Sequence, residues 1–238
     1  MIWLVVVLLA GCSAIRSEPV APLPEGLRVA IDQGIADMYR RDHRQAIRRF
    51  SDVLDIAPDN QEVWLRRGSA WFRMEAYAEA SREYLAVLAV DPDNSEARAG
   101  LWASQLQSAG YSEESRATVR SAVESWLAER PRSTSRRLAA FRGFNLLHDD
   151  RAARTLLMEL LRVELIGDAR EEIAQEAFEA ALGEEDLDAR RRLVEAFLEG
   201  FPESPSRHLF YQYHLGWMAR THPKAFPAEA RRLLRTDR

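Results

Sequence analysis

The chain has one cysteine, Cys12, so a disulfide framework within one chain is excluded. It has almost no lysine: of its 33 basic residues only Lys224 is not arginine. That bias fits a GC-rich genome and by itself marks no binding surface. There is no excess of positive charge, and a net charge of −4 gives no reason to expect nucleic acid. Motifs of the GxxxxGK, HExxH and GxSxG types are missing, which removes the usual sequence grounds for phosphate, zinc-protease or serine-hydrolase chemistry. No apolar run reaches the roughly 20 residues needed to span a bilayer as a helix. Glycine and proline are sparse and sit at intervals, as in helices separated by short turns. What is present is a 238-residue chain, 47% hydrophobic, with aliphatic residues recurring throughout its body. Such a chain can bury a core as one large domain or as a repeat array.

The longest apolar run, Ile2 to Ala10, has the length of a signal-peptide h-region, about 7–15 residues. It ends in Leu9-Ala10-Gly11-Cys12, which resembles the lipobox of bacterial lipoproteins. The departure from that pattern is the lack of Lys or Arg before the run. The resemblance implies acylation of Cys12, removal of residues 1–11, and a membrane anchor of several acyl chains. Two or more chains anchor stably where one is marginal. Ser13 after the cysteine resembles the outer-membrane sorting type, so the expected location is the bacterial envelope, at the outer membrane facing the periplasm. Residues 12–26 carry Pro19, Pro22 and Pro24 and read as a tether. At about 3.1 Å per residue, it reaches on the order of 40 Å.

Pro58-Asp59-Asn60 recurs as Pro92-Asp93-Asn94, a shift of 34 residues. The same shift aligns Gly34 with Gly68, Ala46 with Ala80, and Phe50 with Tyr84. This is the period of the tetratricopeptide repeat (TPR), a pair of antiparallel helices. The second repeat, 61–94, carries Trp64, Gly68, Trp71, Ala80, Tyr84 and Pro92, which resembles the full TPR pattern of large, small, aromatic, alanine, aromatic and closing proline. The first, 27–60, keeps Gly34, Ala46, Phe50 and Pro58 but has Ala30 and Asp37 at its two large positions. An end repeat is often atypical. In this pattern the small residues let paired helices approach, and the large ones fill the gap to the next hairpin. The proline stops the second helix, and Asn60 and Asn94 cap the following one.

Residues 95–238 read as degenerate repeats. Helical stripes predict pairs over 95–109 and 112–130, 133–147 and 149–165, and 170–182 and 185–200. Phe201, Pro202, Ser204, Pro205, Leu215 and Gly216 resemble a junction in envelope TPR proteins. A last helix is expected over 227–235, beginning at a tolerated proline. Phe210, His214 and Trp217 share one face and are expected to pack under it. The expected fold is therefore all-α, a right-handed α-solenoid of about six antiparallel hairpins over residues 27–238.

The resemblance implies that the first helix of each hairpin lines a concave groove. The aligned groove residues are Ile31, Ile35, Met38 and Tyr39, then Leu65, Ser69, Phe72 and Arg73. Ile31, Ile35, Leu65 and Ser69 stand where carboxylate-clamp TPRs place Lys and Asn, so the groove is expected to take an apolar segment instead. Acid pairs such as Glu171-Glu172 and Glu184-Glu185-Asp186 read as helix starts. The arginine groups Arg40-Arg41, Arg48-Arg49 and Arg190 to Arg192 read as solvated faces. His208 and His214 lie on different faces, so no metal ligand pair is expected. Together these features predict a scaffold binding a protein or peptide in an envelope assembly, with no catalysis, cofactor or metal. The alternatives are a homo-oligomerising structural subunit or, more remotely, a cell-wall enzyme on a helical array.

Overall fold

The computed structural model describes residues 24–163, 165, 167–204 and 207–236. The signal-like segment, the lipobox, Cys12, Pro205 and most of the tether lie outside the described residues. Twelve helices follow one another among them: α1 (Glu25–Tyr39), α2 (His43–Ile56), α3 (Gln61–Arg73), α4 (Tyr77–Val90), α5 (Ser95–Ser108), α6 (Glu113–Glu129), α7 (Thr134–Leu146), α8 (Asp150–Leu160), α9 (Gly167–Gly183), α10 (Leu187–Gly200), α11 (Arg207–Thr221) and α12 (Phe226–Thr236). The architecture is an all-α, TPR-like array of helical hairpins.

The local reasons for these helices are legible in the sequence. Asn60 and Asn94 accept hydrogen bonds from the backbone N–H groups of Val63 and Ala97, at 3.0 and 2.9 Å, and so cap α3 and α5. Asp42, Ser112, Ser133, Asp149 and Asp186 cap α2, α6, α7, α8 and α10 in the same way. Pro58 and Pro92 each stand two residues past the end of a helix. Arg41, Glu75, Tyr111 and His148 adopt left-handed backbone at four hairpin turns, and Gly110 adds a second such residue beside Tyr111.

The hairpins close through their small residues. A Cβ on Gly34 would lie 2.5 Å from the Phe50 ring, and one on Gly68 would lie 3.1 Å from the Tyr84 ring. Ala46 and Ala80 are fully buried on the opposing helices. Replacing Ala80 with leucine is expected to overpack the second hairpin by about 1–3 kcal/mol. A lowered denaturation midpoint checks this, and an unchanged one would count against the alignment.

Three sequence expectations need correction at this level. Helix α1 begins at Glu25, inside the segment read as tether, with Pro24 at its N-cap. Helix α8 ends at Leu160, not near 165, because Arg162 and Val163 turn back onto the carbonyls of Glu159 and Leu160. Helix α12 begins one residue early, at Phe226, so Pro227 falls second in the first turn, where a missing N–H still costs nothing.

Asp37, which stands where the repeat has an aromatic, is buried and accepts a hydrogen bond from Arg49 of α2 at 2.7 Å. An ion pair thus replaces ring packing in the first hairpin. The apolar interior divides into three parts. One small core joins α1, α2 and the start of α3, and a second joins α3, α4 and α5. A single larger core runs from Trp102 of α5 to Leu233 of α12.

Candidate partner-binding groove

The first helices of neighbouring hairpins, α3, α5 and α7, frame a cavity of about 490 Å³. Its centre is α5, whose Ala99, Gly100 and Ala103 leave the space that larger side chains would fill. Phe72 comes from α3, and Leu146 and Asn145 come from α7. Tyr84 reaches in from α4 through a slot with a glycine on each side. Gly68 stands on one helix, and a Cβ on Gly100 would lie 2.5 Å from the same ring. The Tyr84 hydroxyl is 3.4 Å from the Ser69 hydroxyl, and burial raises its pKa above the ordinary phenol value. Two hairpin-turn residues with left-handed backbone, Tyr111 and His148, complete the lining. The volume lies in the range of small-ligand and anchor-residue pockets, roughly 300–1,000 Å³.

The polar edge of the cavity is Glu96, Asn145, His148 and Arg142. The Arg142 guanidinium is already engaged. Its Nε donates to Glu172 Oε1 at 2.8 Å, a second nitrogen binds the other Glu172 oxygen, and a third donates to Ser95 Oγ at 3.3 Å. This fork fastens α7 to α9 and neutralises one carboxylate. Glu96 is exposed, with no ion-pair partner among the described residues.

The groove residues expected from sequence fall into two sets. Ile31 and Leu65 are 4% and 9% exposed and belong to the two small cores, so they support the face from beneath and do not present it. A Leu65→Glu substitution would therefore report on folding, not on capture. Ile35, Met38, Ser69 and Phe72 are half-buried, and Tyr39 and Arg73 are exposed. Of all eight, only Phe72 lines the cavity, which lies one hairpin further along the chain. The same alignment rule carried into the third repeat reaches Glu96, Ala99 and Ala103. On α7 the rule fails, because α6 is 17 residues long and α7 starts at Thr134, later than a 34-residue period would place it.

Two charged groups also depart from expectation. Glu171 and Glu172 lie inside α9, not at its start, and Glu172 holds Arg142. Arg190 is 2% exposed, not solvated. It stacks on Trp217, 4.4 Å from the ring centre, and donates to the carbonyls of Leu182 and Glu184. Beneath it, His214 packs under the last helix as expected, with its Nε2 3.1 Å from Glu229 Oε1, whereas Trp217 stacks on His214 and Arg190, and Phe210 packs against Phe178 of α9 and Phe197 of α10. Among the described residues no group of His, Cys, Asp and Glu is arranged to hold a metal, and no helix is long and apolar enough to cross a membrane.

This helical pairing and its period have counterparts among known proteins. Residues 37–104 match the tetratricopeptide repeat family. A thermophilic TPR protein of Thermus thermophilus, TTC0263, has a similar fold. The TM-score is 0.51 at 15% identity, covering 79% of this chain and 98% of that one. The Sgt2 TPR domain from Aspergillus fumigatus aligns with a TM-score of 0.39 at 20% identity, over 62% of this chain and 92% of that one. PilW, a type IV pilus biogenesis factor, aligns with a TM-score of 0.35 at 16% identity, over 78% and 98%. The fold assignment rests on the first of these three. No curated protein matches the chain in sequence. TPR arrays are typically scaffolds suited to binding other proteins, and the match to that family runs from the end of α1 into α5.

Proposed function

We propose that the chain is a lipid-anchored scaffold of the bacterial envelope that holds a segment of a partner protein in the cavity between α3, α5 and α7. The observation that carries the binding half is that cavity. Small residues at the centre of α5 keep it open, and rings from α3, α4 and the α5–α6 turn wall it. Such an arrangement suits one bulky apolar anchor from an extended or helical segment. The anchoring half is supported by Leu9-Ala10-Gly11-Cys12 and by the lack of any second cysteine.

Site-directed photocrosslinking in native envelopes tests the binding half. A photoreactive residue replacing Phe72 is expected to capture a partner. The same residue replacing Leu85, which is half exposed and lies outside the cavity, is expected to capture none. Equal capture from both positions would reject this face. Cys12→Ser is expected to abolish incorporation of labelled acyl chains and to release the protein from the membrane fraction. Unchanged membrane association would reject the anchor.

A further inference from the structure

The partner segment's chemistry follows from what borders the cavity, given the binding site proposed above. On its α3 side stands the exposed cation Arg73, and at the α5–α6 turn the exposed Arg116 lies 5.8 Å from the centre of the Tyr111 ring. Beyond its α7 wall, where Arg142 reaches Glu172 of α9, the charge is acidic. Glu172, Glu176 and Glu179 recur at helical spacing along one stripe of α9, facing away from the buried Ile173, Ala177 and Ala181. Phe178 packs against Phe210 and Tyr213 of α11, so the stripe flanks the other side of α9, where Glu172 reaches Arg142 of α7. Among the described residues Arg142 is the one cation bonded to the stripe, and Glu172 occupies it. Glu179 accepts a hydrogen bond from Gln175, and Glu176 has no ion-pair partner among the described residues. Burial and the neighbouring Glu179 and Glu172 raise the Glu176 pKa, as expected for a half-buried carboxylate among like charges. Glu96 adds a further exposed carboxylate at the cavity edge.

We propose that the groove receives a cationic segment, with one bulky apolar side chain seated among Phe72, Tyr84, Tyr111 and Ala103 and with Lys or Arg residues lying over Glu96, Glu176 and Glu179. The apolar side chain supplies burial, and the basic residues supply orientation and a faster encounter. A segment with acidic residues at that place meets like charge and is excluded.

The test uses the full-length chain in detergent and three fluorescent peptides of about 12 residues, a length sufficient to cross a groove of this kind. Each carries one central Phe flanked by Lys, by Gln or by Glu. Anisotropy titrations are expected to rank Lys above Gln above Glu. The Lys advantage over Gln is expected to shrink about fivefold in high salt, because exposed charges are screened over a few ångströms there. The double variant E176Q and E179Q is expected to remove a similar share of that advantage while leaving the Gln peptide unaffected. Phe72→Ala and Tyr111→Ser, each checked for retained helicity, are expected to weaken the Lys and Gln peptides alike. Equal binding of the Glu and Lys peptides, or a double variant that keeps the full Lys preference, overturns the cationic assignment and leaves the groove standing. Peptide binding that neither Phe72→Ala nor Tyr111→Ser alters removes the groove itself. Failure of the Lys peptide to bind the wild-type chain overturns the proposal outright.

Discussion

Glu229→Ala is expected to loosen the last three helices while the first hairpins stay folded. Glu229 is 2% exposed on α12 and serves as the common acceptor for two other helices. Arg191 of α10 donates to it at 3.0 Å, Arg232 of its own helix at 2.6 Å, and His214 of α11 approaches at 3.1 Å. Removing one member of a buried ionic group costs more than the group's net contribution, because the survivors keep their charge or polarity beside an emptied place. His214 cannot escape to water, whereas the arginines are about a third exposed and keep Asp188 and Glu195 as second partners. The expected loss is about 3 kcal/mol. Amide hydrogen exchange would show it as lost protection confined to α10, α11 and α12. Uniform loss along the chain would mean that the array unfolds as one unit.

The same cluster sets an acid limit. Burial lowers the pKa of His214 below the ordinary imidazole value, and the opposing pull of Glu229 does not restore it. A histidine that is neutral when folded and charges more readily when unfolded leaves stability intact above about pH 6.5. Stability then falls as pH drops below the unfolded value toward the folded one. Burial acts to raise the Glu229 pKa, but hydrogen bonds from Arg232 and His214 outweigh it and leave the value lowered. Its contribution is present above the unfolded carboxylate range and is lost as pH falls through the folded value. Both signs agree, so acidification weakens this end. His214→Gln is expected to flatten the part of the pH–stability profile that begins near neutrality, and an unaltered profile would assign it to other groups.

Arg136→Ala is expected to have a comparable effect in the middle of the chain, at about 3 kcal/mol. Arg136 lies in the first turn of α7 and is 4% exposed. Its guanidinium donates to Asp93 at 2.8 Å, to Glu129 at 2.7 Å and to the Trp126 carbonyl at 2.8 Å. It also lies 3.9 Å from the centre of the Trp126 ring, as does Arg98. One side chain thus ties the α4–α5 turn, the end of α6 and the start of α7. Arg136→Lys keeps the charge but loses the planar fork and the stacking, so it is expected to recover less than half of the loss. Chemical denaturation of the three proteins checks the order. Peptide affinity should fall in parallel, because Arg142, Asn145 and Leu146 project from the helix that Arg136 positions.

These two clusters mark where sequence reading ran short. The period from Pro58 to Pro92, the small residues at Gly34, Gly68, Ala46 and Ala80, and the capping asparagines were legible because each states a local steric or hydrogen-bonding need. Asp59 and Asp93 align in the repeat, yet only Asp93 meets Arg130 and Arg136. That difference arises from the long α6, which brings distant arginines back to the turn. The arginine bias looked compositional, but its stacking and forked contacts carry Arg136, Arg142 and Arg190 into half-buried or buried positions. The cavity lies one hairpin beyond the groove positions that the repeat alignment names. The repeat alignment names positions on a regular helix but could not show that Ala99, Gly100 and Ala103 would leave a cavity of about 490 Å³ beside them. Tyr111 and His148 join the site from turns, where periodicity carries no information.

The division of the interior into two small cores followed by one long one has a mechanical meaning. A load applied through the N-terminus enters at the end with the least apolar material to shear. The α1–α2 hairpin would peel first and the α3–α4 hairpin next, while the block from α5 onward resists. Phe72 and Tyr84 lie on the second element to yield, and the other walls of the cavity lie at or beyond the boundary. Tension on the N-terminal end would therefore split the cavity between α3, α5 and α7 before it unravelled the array, and so separate its walls under modest extension.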